Sequence, residues 1–485
     1  MRVNYQTNSS IQFQVLSDDQ RQEIFRAALH VLEHTGIEIH NDEALDILKA
    51  QGACVDGTRA RIPSYLVKRA LASAPSSFTV YSREGNPDKN ITIGPNCINY
   101  GPGPTCPNFR DSRTGERRQY LRQDARDVAL VCDSLPNINF VESLGTVSDT
   151  NPDLADVYEF AEMIANTGKP IVAWSYTIDT CRDIHQIAAA VAGSEAALRE
   201  RPNYIFYAEP LSPLVSSLEA ADKLLYCAKN RIPIIYTPCP IGGGTAPTTS
   251  AGILVTALCE SLHGLVIAQA ISPGTPFVMG GVVSIMDMLS AVLAYGAPEL
   301  SLQSAALTEM SRFVGLPVWS TAGCTDSKLV DEQAGIEGAI SILFAGLSGA
   351  NLVHDVGYTE SALTGDLRMT TMCNEIIGYV KRILRGIEVT PETLATEVIR
   401  EVGPGGHFLA TEHTLAHFKD QFWFPSLMDR SDWAEWDAGG NLSMGDRIQI
   451  CMNDILDTHQ PVRLTSETQK QIEEILAKAE ARYQP

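Results

Sequence analysis

The amino-acid sequence predicts an α/β fold, a (β/α)8 TIM barrel with an N-terminal accessory region and a C-terminal helical tail. From about residue 120 onward, strand-like apolar runs alternate with helical stretches at a spacing of roughly 30 residues, which is typical of βαβ units. Several runs end in polar residues and glycine, and barrels of this kind place their chemistry at the carboxyl ends of the strands. A doubly wound open sheet is the alternative, but no GxGxxG turn follows the first strand.

One βαβ unit can be read directly from the letters. Pro317–Ala322 is a short apolar run rich in β-forming residues, as expected of a buried parallel strand. Asp326 and Ser327 are predicted to start a helix, because apolar residues follow them at helical spacing as far as Gly349. Ala350–Asp355 is predicted to be the next strand.

The barrel is assigned to residues 121–389. Eight alternating units with right-handed connections close most simply as a barrel. The predicted strands are Ile138–Leu144, Pro170–Tyr176, Tyr204–Ala208, Pro233–Thr237, Pro276–Gly280, Leu300–Leu302, Val318–Ala322 and Leu352–His354. The helical stretches between them include Leu154–Asn166, Ile184–Ala192, Ser216–Asn230, Thr249–Ala270 and Gln303–Val314.

Residues 1–120 and 390–485 flank the predicted barrel. In the accessory region, Ser17 is the predicted N-cap of a helix that ends at Gly36. In the tail, an amphipathic helix is predicted from about Thr465. We expect the tail to pack on the barrel or to form an oligomer interface, and we expect a homo-oligomer.

Composition and motifs exclude several classes of protein. The 485 residues carry a formal net charge of -21, which argues against nucleic acid and against an anionic membrane surface as partners. The most apolar window, Ala251–Ile271, contains Glu260 and His263 and is predicted to be a buried barrel helix rather than a membrane span. Eleven cysteines without a CxxC pair or an export signal indicate a cytoplasmic protein with reduced thiols. No metal site is predicted, since no HxH, HExxH or Cys/His cluster occurs.

The predicted strand ends are rich in aromatic residues and poor in lysine and arginine. Such a mouth suits a quaternary ammonium ligand, because each ring face over the cation contributes about 0.5–2 kcal/mol. The alternative for each ring is packing in the barrel interior. The candidate substrate-binding residues are Tyr100, Trp174, Tyr207, Glu209, Tyr236, Asp326 and His354.

The polar candidates have alternative interpretations. Glu209 and Asp326 either balance a bound cation or cap helices. His354 and Asp355 are adjacent, so in a strand their side chains point to opposite faces, and only one can face the barrel axis without a bend. His354 is favoured for the pocket, as a hydrogen-bond donor to a substrate carboxylate. The alternative is a core histidine with its hydrogen bonds satisfied.

Several segments together resemble the trimethylamine methyltransferase (MttB-type) family over nearly the whole chain. They are STAGCTD at 320–326, GANLVHDVG at 349–357, GPGPTCPNFRD at 101–111, the helical opening that follows Leu16, and FPSLMDR at 424–430. The resemblance implies a barrel that passes a methyl group from a methylated amine to the Co(I) corrinoid (cobalamin) of a separate small corrinoid-binding protein. It implies no tightly bound cofactor, and no nucleophilic side chain, since cobalt supplies the nucleophile.

The founding members of that family carry pyrrolysine, whereas this chain has only standard residues and resembles the branch without it. Members of that branch act on quaternary amines, and glycine betaine is the favoured substrate. A quaternary ammonium is already a cationic leaving group, whereas a tertiary amine first needs protonation or covalent activation. Two alternatives stay open: a barrel lyase or decarboxylase that acts on a small acid without corrinoid, and a betaine-binding protein.

Overall fold

The computed structural model describes residues 13–483, so the first twelve residues of the predicted accessory region lie outside it. Within the described chain, seven strands form a central sheet in which every neighbouring pair is parallel. In spatial order the strands are Asn99–Tyr100, Leu352–His354, Val318–Thr321, Phe277–Gly280, Ile234–Tyr236, Tyr204–Ala208 and Ile171–Ala173. The prediction of an α/β fold is confirmed.

The sheet is curled. Tyr207 and Trp319 lie on strands three places apart, and such strands would be about 14 Å apart in a flat sheet. Their ring centroids are nevertheless only 5.8 Å apart. One face of the sheet is therefore enclosed, and the other face carries the helices.

The segment around Val141 lies between the two edges of the sheet. On one side, the Asn139 N–H donates to the Tyr100 carbonyl at 2.6 Å. On the other side, the Val141 N–H donates to the Pro170 carbonyl and the Val172 N–H donates to the Val141 carbonyl, both at 2.9 Å. This segment, predicted as the first strand, thus has backbone hydrogen bonds to both edges, although its strand pairing is a single bridge to Ile171.

The predicted strand Leu300–Leu302 is wrong, because these residues belong to the helix Pro298–Val314. Pro298 occupies the first turn of that helix, where a missing N–H costs nothing, and Glu299 suits the positive end of the helix dipole. The sheet instead takes the strand Asn99–Tyr100 from the region predicted as accessory. This strand has only two residues before a Gly/Pro loop, which is too short to show the alternation of apolar and polar residues by which a strand is predicted.

Helices cover the outer face of the sheet and form most of both flanks. In chain order they are Asp18–His34, Asp42–Gln51, Ser64–Ser73, Arg122–Ser134, Ala155–Asn166, Ile178–Ala192, Glu195–Glu200, Leu218–Asn230, Ser250–Ile271, Pro298–Val314, Glu332–Ser348, Leu367–Leu384, Thr396–Val402, Glu412–Gln421, Trp433–Ala438, Met444–Thr458 and Ser466–Arg482, with 3-10 turns at Pro87–Lys89 and Pro152–Leu154. The Ser17 N-cap is confirmed: its hydroxyl accepts from the Gln20 N–H at 3.2 Å. The predicted helix start at Asp326 is wrong, because the helix begins at Glu332 and Asp331 caps it.

The remaining strands form small sheets around the central one. They are Ile37–Ile39, Cys54–Asp56, Arg59–Arg61 and Val215–Ser216 in one sheet, Asn108–Arg110, Arg117–Gln119, Tyr358–Thr359 and Thr364–Gly365 in a second, Ile241–Gly242, Ser284–Asp287 and Val292–Ala294 in a third, and the pair Phe78–Val80 and Ile91–Ile93. That pair buries Val80, Ile91 and Ile93 against the enclosed face of the central sheet. The hairpin closes one end of the enclosed space, and the other end is where the strands finish.

One helix in the described chain, Ser250–Ile271, is long and apolar enough to cross a membrane by length and composition alone. Within its most apolar window, 83% of the residues are buried inside the protein. Glu260 on this helix accepts hydrogen bonds from the Leu214 N–H and the Ser212 hydroxyl. These contacts agree with the predicted buried helix.

Asp133 connects the tail to the rest of the fold. Its carboxylate contacts Lys89 Nζ at 3.1 Å and His459 Nε2 at 2.9 Å, and accepts from the Thr167 hydroxyl and the Gly168 N–H. Burial raises the pKa of Asp133, but these hydrogen bonds and the lysine charge outweigh burial and lower it to about 2. The folded pKa is depressed, so this contribution to stability is present above about pH 4 and is lost as the pH falls toward 2.

We expect Asp133→Asn to lower the free energy of unfolding by about 3 kcal/mol at pH 7, because it removes a buried carboxylate that pairs with the partly buried Lys89 and His459 and accepts from Thr167 and Gly168. Urea denaturation measures the change. The matched control is Asp457→Asn, which removes an exposed ion pair with Arg113 and should cost less than about 1 kcal/mol. Equal costs for the two variants would contradict this role of Asp133.

Candidate functional site

The enclosed face changes character along the strands. Because side chains alternate between faces, residues two apart on a strand lie on the same face. A buried apolar layer is formed by Phe140, Val172, Ile205, Ile235, Val278 and Leu352. Two residues further along three of these segments come Glu142, Tyr207 and His354. The enclosed space therefore becomes aromatic and polar toward the carboxyl ends of the strands.

Trp319 is the central ring of this region. Its indole stacks on the His354 imidazole, with ring centroids 4.3 Å apart and planes inclined by 26°. Tyr207 and Phe140 each approach it with a centroid distance of 5.8 Å. The side chain is fully buried, yet its Nε1–H has no hydrogen-bond partner. Buried polar groups are normally paired, so this donor is available to a ligand.

His354 and Asp355 lie together inside the same region. Nδ1 of His354 is 2.7 Å from Asp355 Oδ1, and its Nε2 is 3.0 Å from the Thr321 hydroxyl. Asp355 has φ +71°, a left-handed conformation that costs a non-glycine residue of order 1–3 kcal/mol. This bend places the Asp355 carboxylate on the histidine, so the two side chains do not point to opposite faces.

Two further carboxyl groups face the enclosed space. Glu142 is fully buried, and burial followed by the charges of Asp355 and Glu159 raises its pKa well above the usual range. Glu209 Oε2 accepts from the Tyr207 hydroxyl at 2.7 Å. Glu209 keeps contact with solvent although the surrounding protein raises its pKa, which indicates that it lines a recess within the sheet.

Cationic side chains are scarce beside these acids. In the part of the chain that the structure describes, no lysine or arginine lies within ion-pair distance of Glu142, Glu209 or Asp355. Lys223 acts on Glu209 from further away, but its Nζ donates to the Ser175 carbonyl at 2.6 Å. The recess therefore has an excess of acidic groups.

Tyr100 and Tyr236, both predicted as site residues, do not join this cluster. The Tyr100 hydroxyl lies 3.5 Å from the Ile342 carbonyl on a covering helix. The Tyr236 hydroxyl lies 2.9 Å from the Ser216 hydroxyl, beside His263. Both rings belong to the layer between sheet and helices, because each lies one position out of phase with the residues that face inward.

Trp174 and Asp326, also predicted, lie at the margin. Trp174 is half-buried, donates from Nε1 to Glu159 Oε2 at 3.1 Å and meets the Tyr176 ring edge-on at 4.7 Å. Asp326 accepts from the backbone N–H groups of Tyr295 and Gly296, each at 2.8 Å, and holds a loop in place. Asp326 thus has a structural partner set of its own.

The sequence interpretation included Tyr207, Glu209 and His354, which the structure brings together with Trp319, but it did not include Glu142. Glu142 is a single acidic residue after Phe140 and Val141, and one acidic residue forms no recognisable motif. Alternation from Phe140 to Glu142 was the one available indication. Among the residues that the structure describes, no group of three or more His, Cys, Asp or Glu could hold a metal ion.

Comparisons with known proteins identify relatives of this chain. The family model described as trimethylamine methyltransferase (MTTB) matches residues 1–483. The trimethylamine methyltransferase MttB of Desulfitobacterium hafniense is 33% identical over 472 residues, 96% of this chain and 94% of the relative. The glycine betaine methyltransferase of D. hafniense strain Y51 is 31% identical over 470 residues, 96% of this chain and 97% of the relative. The crystal structure of the Methanosarcina barkeri monomethylamine methyltransferase (MtmB) covers 98% of this chain and 90% of its own, with a TM-score of 0.53 at 12% identity, a likeness of fold alone.

Proposed function

The chain belongs to the trimethylamine methyltransferase (MTTB) family and is a methyltransferase, and from that premise we propose that it takes its methyl group from a quaternary amine. Glycine betaine is the favoured substrate. The acceptor is the Co(I) corrinoid (cobalamin) of a separate small corrinoid-binding protein. One observation carries the choice of substrate: the Trp319 and Tyr207 rings lie 5.8 Å apart beside carboxyl groups that, in the described part of the chain, have no lysine or arginine within ion-pair distance.

A quaternary ammonium fits this recess for electrostatic reasons. Aromatic faces attract a cation that cannot donate hydrogen bonds, and tryptophan does so best, with about 2 kcal/mol or more when water is excluded. Glu209 lies beside the Tyr207 hydroxyl and supplies countercharge. Trimethylamine, the substrate that names the family, has no permanent charge, and this chain has no non-standard residue that could activate it.

The protein's contribution to the reaction is orientation. The rings hold the cation so that one methyl group points toward the carboxyl ends of the strands, and a fixed geometry converts the encounter into an effectively unimolecular step. Positive charge on nitrogen is lost in the transition state, so binding that is uniformly strong would not raise the rate. The corrinoid, when bound, supplies the nucleophile for the methyl group.

The rim of the recess suits contact with a protein that carries the corrinoid. Exposed apolar side chains lie on loops that follow the strand ends, and they include Tyr176, Leu211, Met288, Leu289 and Leu329. Leu289 is 99% exposed at the tip of the hairpin formed by Ser284–Asp287 and Val292–Ala294. Contiguous exposed apolar surface marks interaction sites, and we propose that these side chains contribute to one.

We assign the betaine carboxylate to donors other than His354. Nε2 of His354 is hydrogen-bonded to the Thr321 hydroxyl, and Nδ1 lies 2.7 Å from Asp355 Oδ1, an ionic contact that ties the imidazole to the carboxylate. Among the described residues, the Trp319 Nε1–H and the Thr237 hydroxyl are buried without a hydrogen-bond partner, so both are available as donors. His354 then positions the indole and the Asp355 carboxylate.

We further propose a closed barrel, a homo-oligomer and a cytoplasmic site of action for this protein. Residues 138–141 complete the sheet as a closed (β/α)8 barrel, which the backbone hydrogen bonds to both edges support. The helices Thr396–Val402, Glu412–Gln421 and Trp433–Ala438 bury no residue of their own, which favours a homo-oligomer in which a second copy covers them. The site of action is the cytoplasm.

A substrate panel with cob(I)alamin or a corrinoid-binding protein as acceptor tests the function. Glycine betaine, proline betaine, carnitine, tetramethylammonium and trimethylamine are each incubated with enzyme, and the visible spectrum reports methyl–cobalt formation. We expect methyl transfer from at least one quaternary amine and none from trimethylamine. Transfer from trimethylamine alone would contradict the proposal. Turnover of a small acid without corrinoid would indicate a lyase, and betaine binding without transfer would indicate a binding protein.

A further inference from the structure

Two carboxyl groups inside the sheet have unused hydrogen-bonding capacity. Glu142 is 0% exposed, and neither of its carboxylate oxygens has a hydrogen-bond partner in the described chain. Asp355 is 1% exposed, and its recorded ionic contact is with His354 Nδ1. The unpaired Nε1–H of Trp319 is a third orphan group on the same enclosed face. Orphan groups that are this deeply buried need an explanation, and a ligand among them is one.

Besides burial, the two charges that raise the pKa of Glu142 are both negative. The carboxyl groups of Asp355 and Glu159 act on it, and the Tyr358 phenol is a further neighbour. Glu159 is already committed, since it accepts from the Val147 N–H and from Trp174 Nε1. An ionised carboxylate without a partner costs several kcal/mol in such surroundings. The neutral acid is therefore the stable form of Glu142 in the empty site.

A cation changes that balance. A quaternary ammonium brings a permanent positive charge that cannot donate a hydrogen bond, so the only response open to the site is electrostatic. A nearby positive charge favours the ionised form of a carboxyl group. Glu142 follows Phe140 by two residues, and the Phe140 ring lies 5.8 Å from the Trp319 ring. In the described chain Glu142 has neither a hydrogen bond nor an ion pair, whereas Asp355 contacts His354 and Glu209 accepts from Tyr207.

We propose that Glu142 holds a proton in the unliganded site and releases it when a quaternary ammonium enters, so that cation binding is coupled to the loss of one proton. This inference rests on the proposed function. The O–H bond of Glu142 breaks, the proton passes to solvent, and the carboxylate stays beside the cation. After methyl transfer the nitrogen retains the electron pair of the broken bond and is neutral, and Glu142 takes up a proton from solvent again.

The proposal fixes the sign of a pH effect. Where Glu142 is protonated in the empty site, each binding event must displace a proton, so affinity for the cation rises about tenfold per pH unit. Above the pH at which Glu142 ionises in the empty site, affinity becomes independent of pH. A ligand of the same shape without the cationic nitrogen would show no such rise.

Isothermal titration calorimetry tests this in buffers with different ionisation enthalpies. The probes are tetramethylammonium, glycine betaine and 3,3-dimethylbutanoate, in which carbon replaces the betaine nitrogen. We expect about one proton released per site for the two cations, none for the carbon isostere, and none for either cation with Glu142→Gln. That variant should bind the cations about ten- to a hundredfold more weakly while its melting temperature stays near that of the wild type.

The possible results distinguish failure of proton release by Glu142 from failure of quaternary-amine binding. Binding of neither cation would overturn the proposed substrate class and this inference with it. Cation binding without proton release would overturn the inference alone. Release that persists in Glu142→Gln but vanishes in His354→Gln would assign the proton to the histidine and also overturn it. If Glu142→Gln fails to fold, the wild-type contrast between glycine betaine and its carbon isostere decides.

Discussion

Trp319→Leu should lower kcat/KM for a quaternary amine by at least about a hundredfold in the methyl–cobalt assay. The indole is the ring with the most contacts in the recess, because it stacks on His354 and lies 5.8 Å from Tyr207. A desolvated cation–π contact contributes about 2 kcal/mol or more, and misplacing a bound substrate by an ångström can cost a further factor of about a hundred. Leucine removes the face and the Nε1–H but keeps an apolar side chain in the core.

The matched control is Tyr236→Phe, on a strand of the same sheet. Its hydroxyl contacts Ser216 on the helix side, so the change removes a hydrogen bond outside the recess. We expect it to cost about 1 kcal/mol of stability and to leave kcat/KM within a factor of two. Circular dichroism and urea denaturation check that both variants are folded. If folded Trp319→Leu keeps its activity within threefold, or if Tyr236→Phe loses as much, the recess is not the substrate site.

Strand positions were largely predictable from the sequence because parallel strands buried on both faces read as short apolar runs. Ile234–Tyr236 and Phe277–Gly280 lie where such runs predicted them. Asn99–Tyr100 has no such signal, and Leu300–Leu302 has apolar residues that a helix uses equally well. Short apolar runs do not distinguish a strand from a buried helix, and here Pro298 decides for the helix.

The candidate site was less predictable, because it depends on strand phase and on one bent residue. Tyr207 and Tyr236 both come near strand ends, but one faces the recess and the other a helix. A shift of one residue reverses the face, and composition does not carry that information. Contact between His354 and Asp355 requires the left-handed backbone of Asp355, which the letters do not specify. Glu142 is buried by segments that are distant in sequence, so the letters around it do not show that its carboxyl group lacks a partner.

The left-handed bend at Asp355 is the basis of the second large effect on activity, which we expect from Gly103→Ala. A Cβ atom at position 103 would lie 2.6 Å from Tyr358 Cζ and would also contact Asp355 Oδ1, so both side chains would have to move. Tyr358 is buried and donates from its hydroxyl to the Pro104 carbonyl, which leaves it little freedom. Asp355 would then leave His354, and the histidine would lose the partner that fixes its ring beside Trp319.

We therefore expect Gly103→Ala to lower kcat/KM at least about a hundredfold, through displaced groups, and to cost about 1–3 kcal/mol of stability through overpacking. The control is Gly335→Ala in the helix Glu332–Ser348, where an added methyl group meets nothing within 4 Å. That change should be neutral or stabilise the helix by about 0.5–1 kcal/mol, with unchanged kinetics. Steady-state kinetics and urea denaturation of both variants measure these changes in kcat/KM and in the free energy of unfolding. A fully active Gly103→Ala would show that Asp355 can move without consequence, and that its contact with His354 does not position the site.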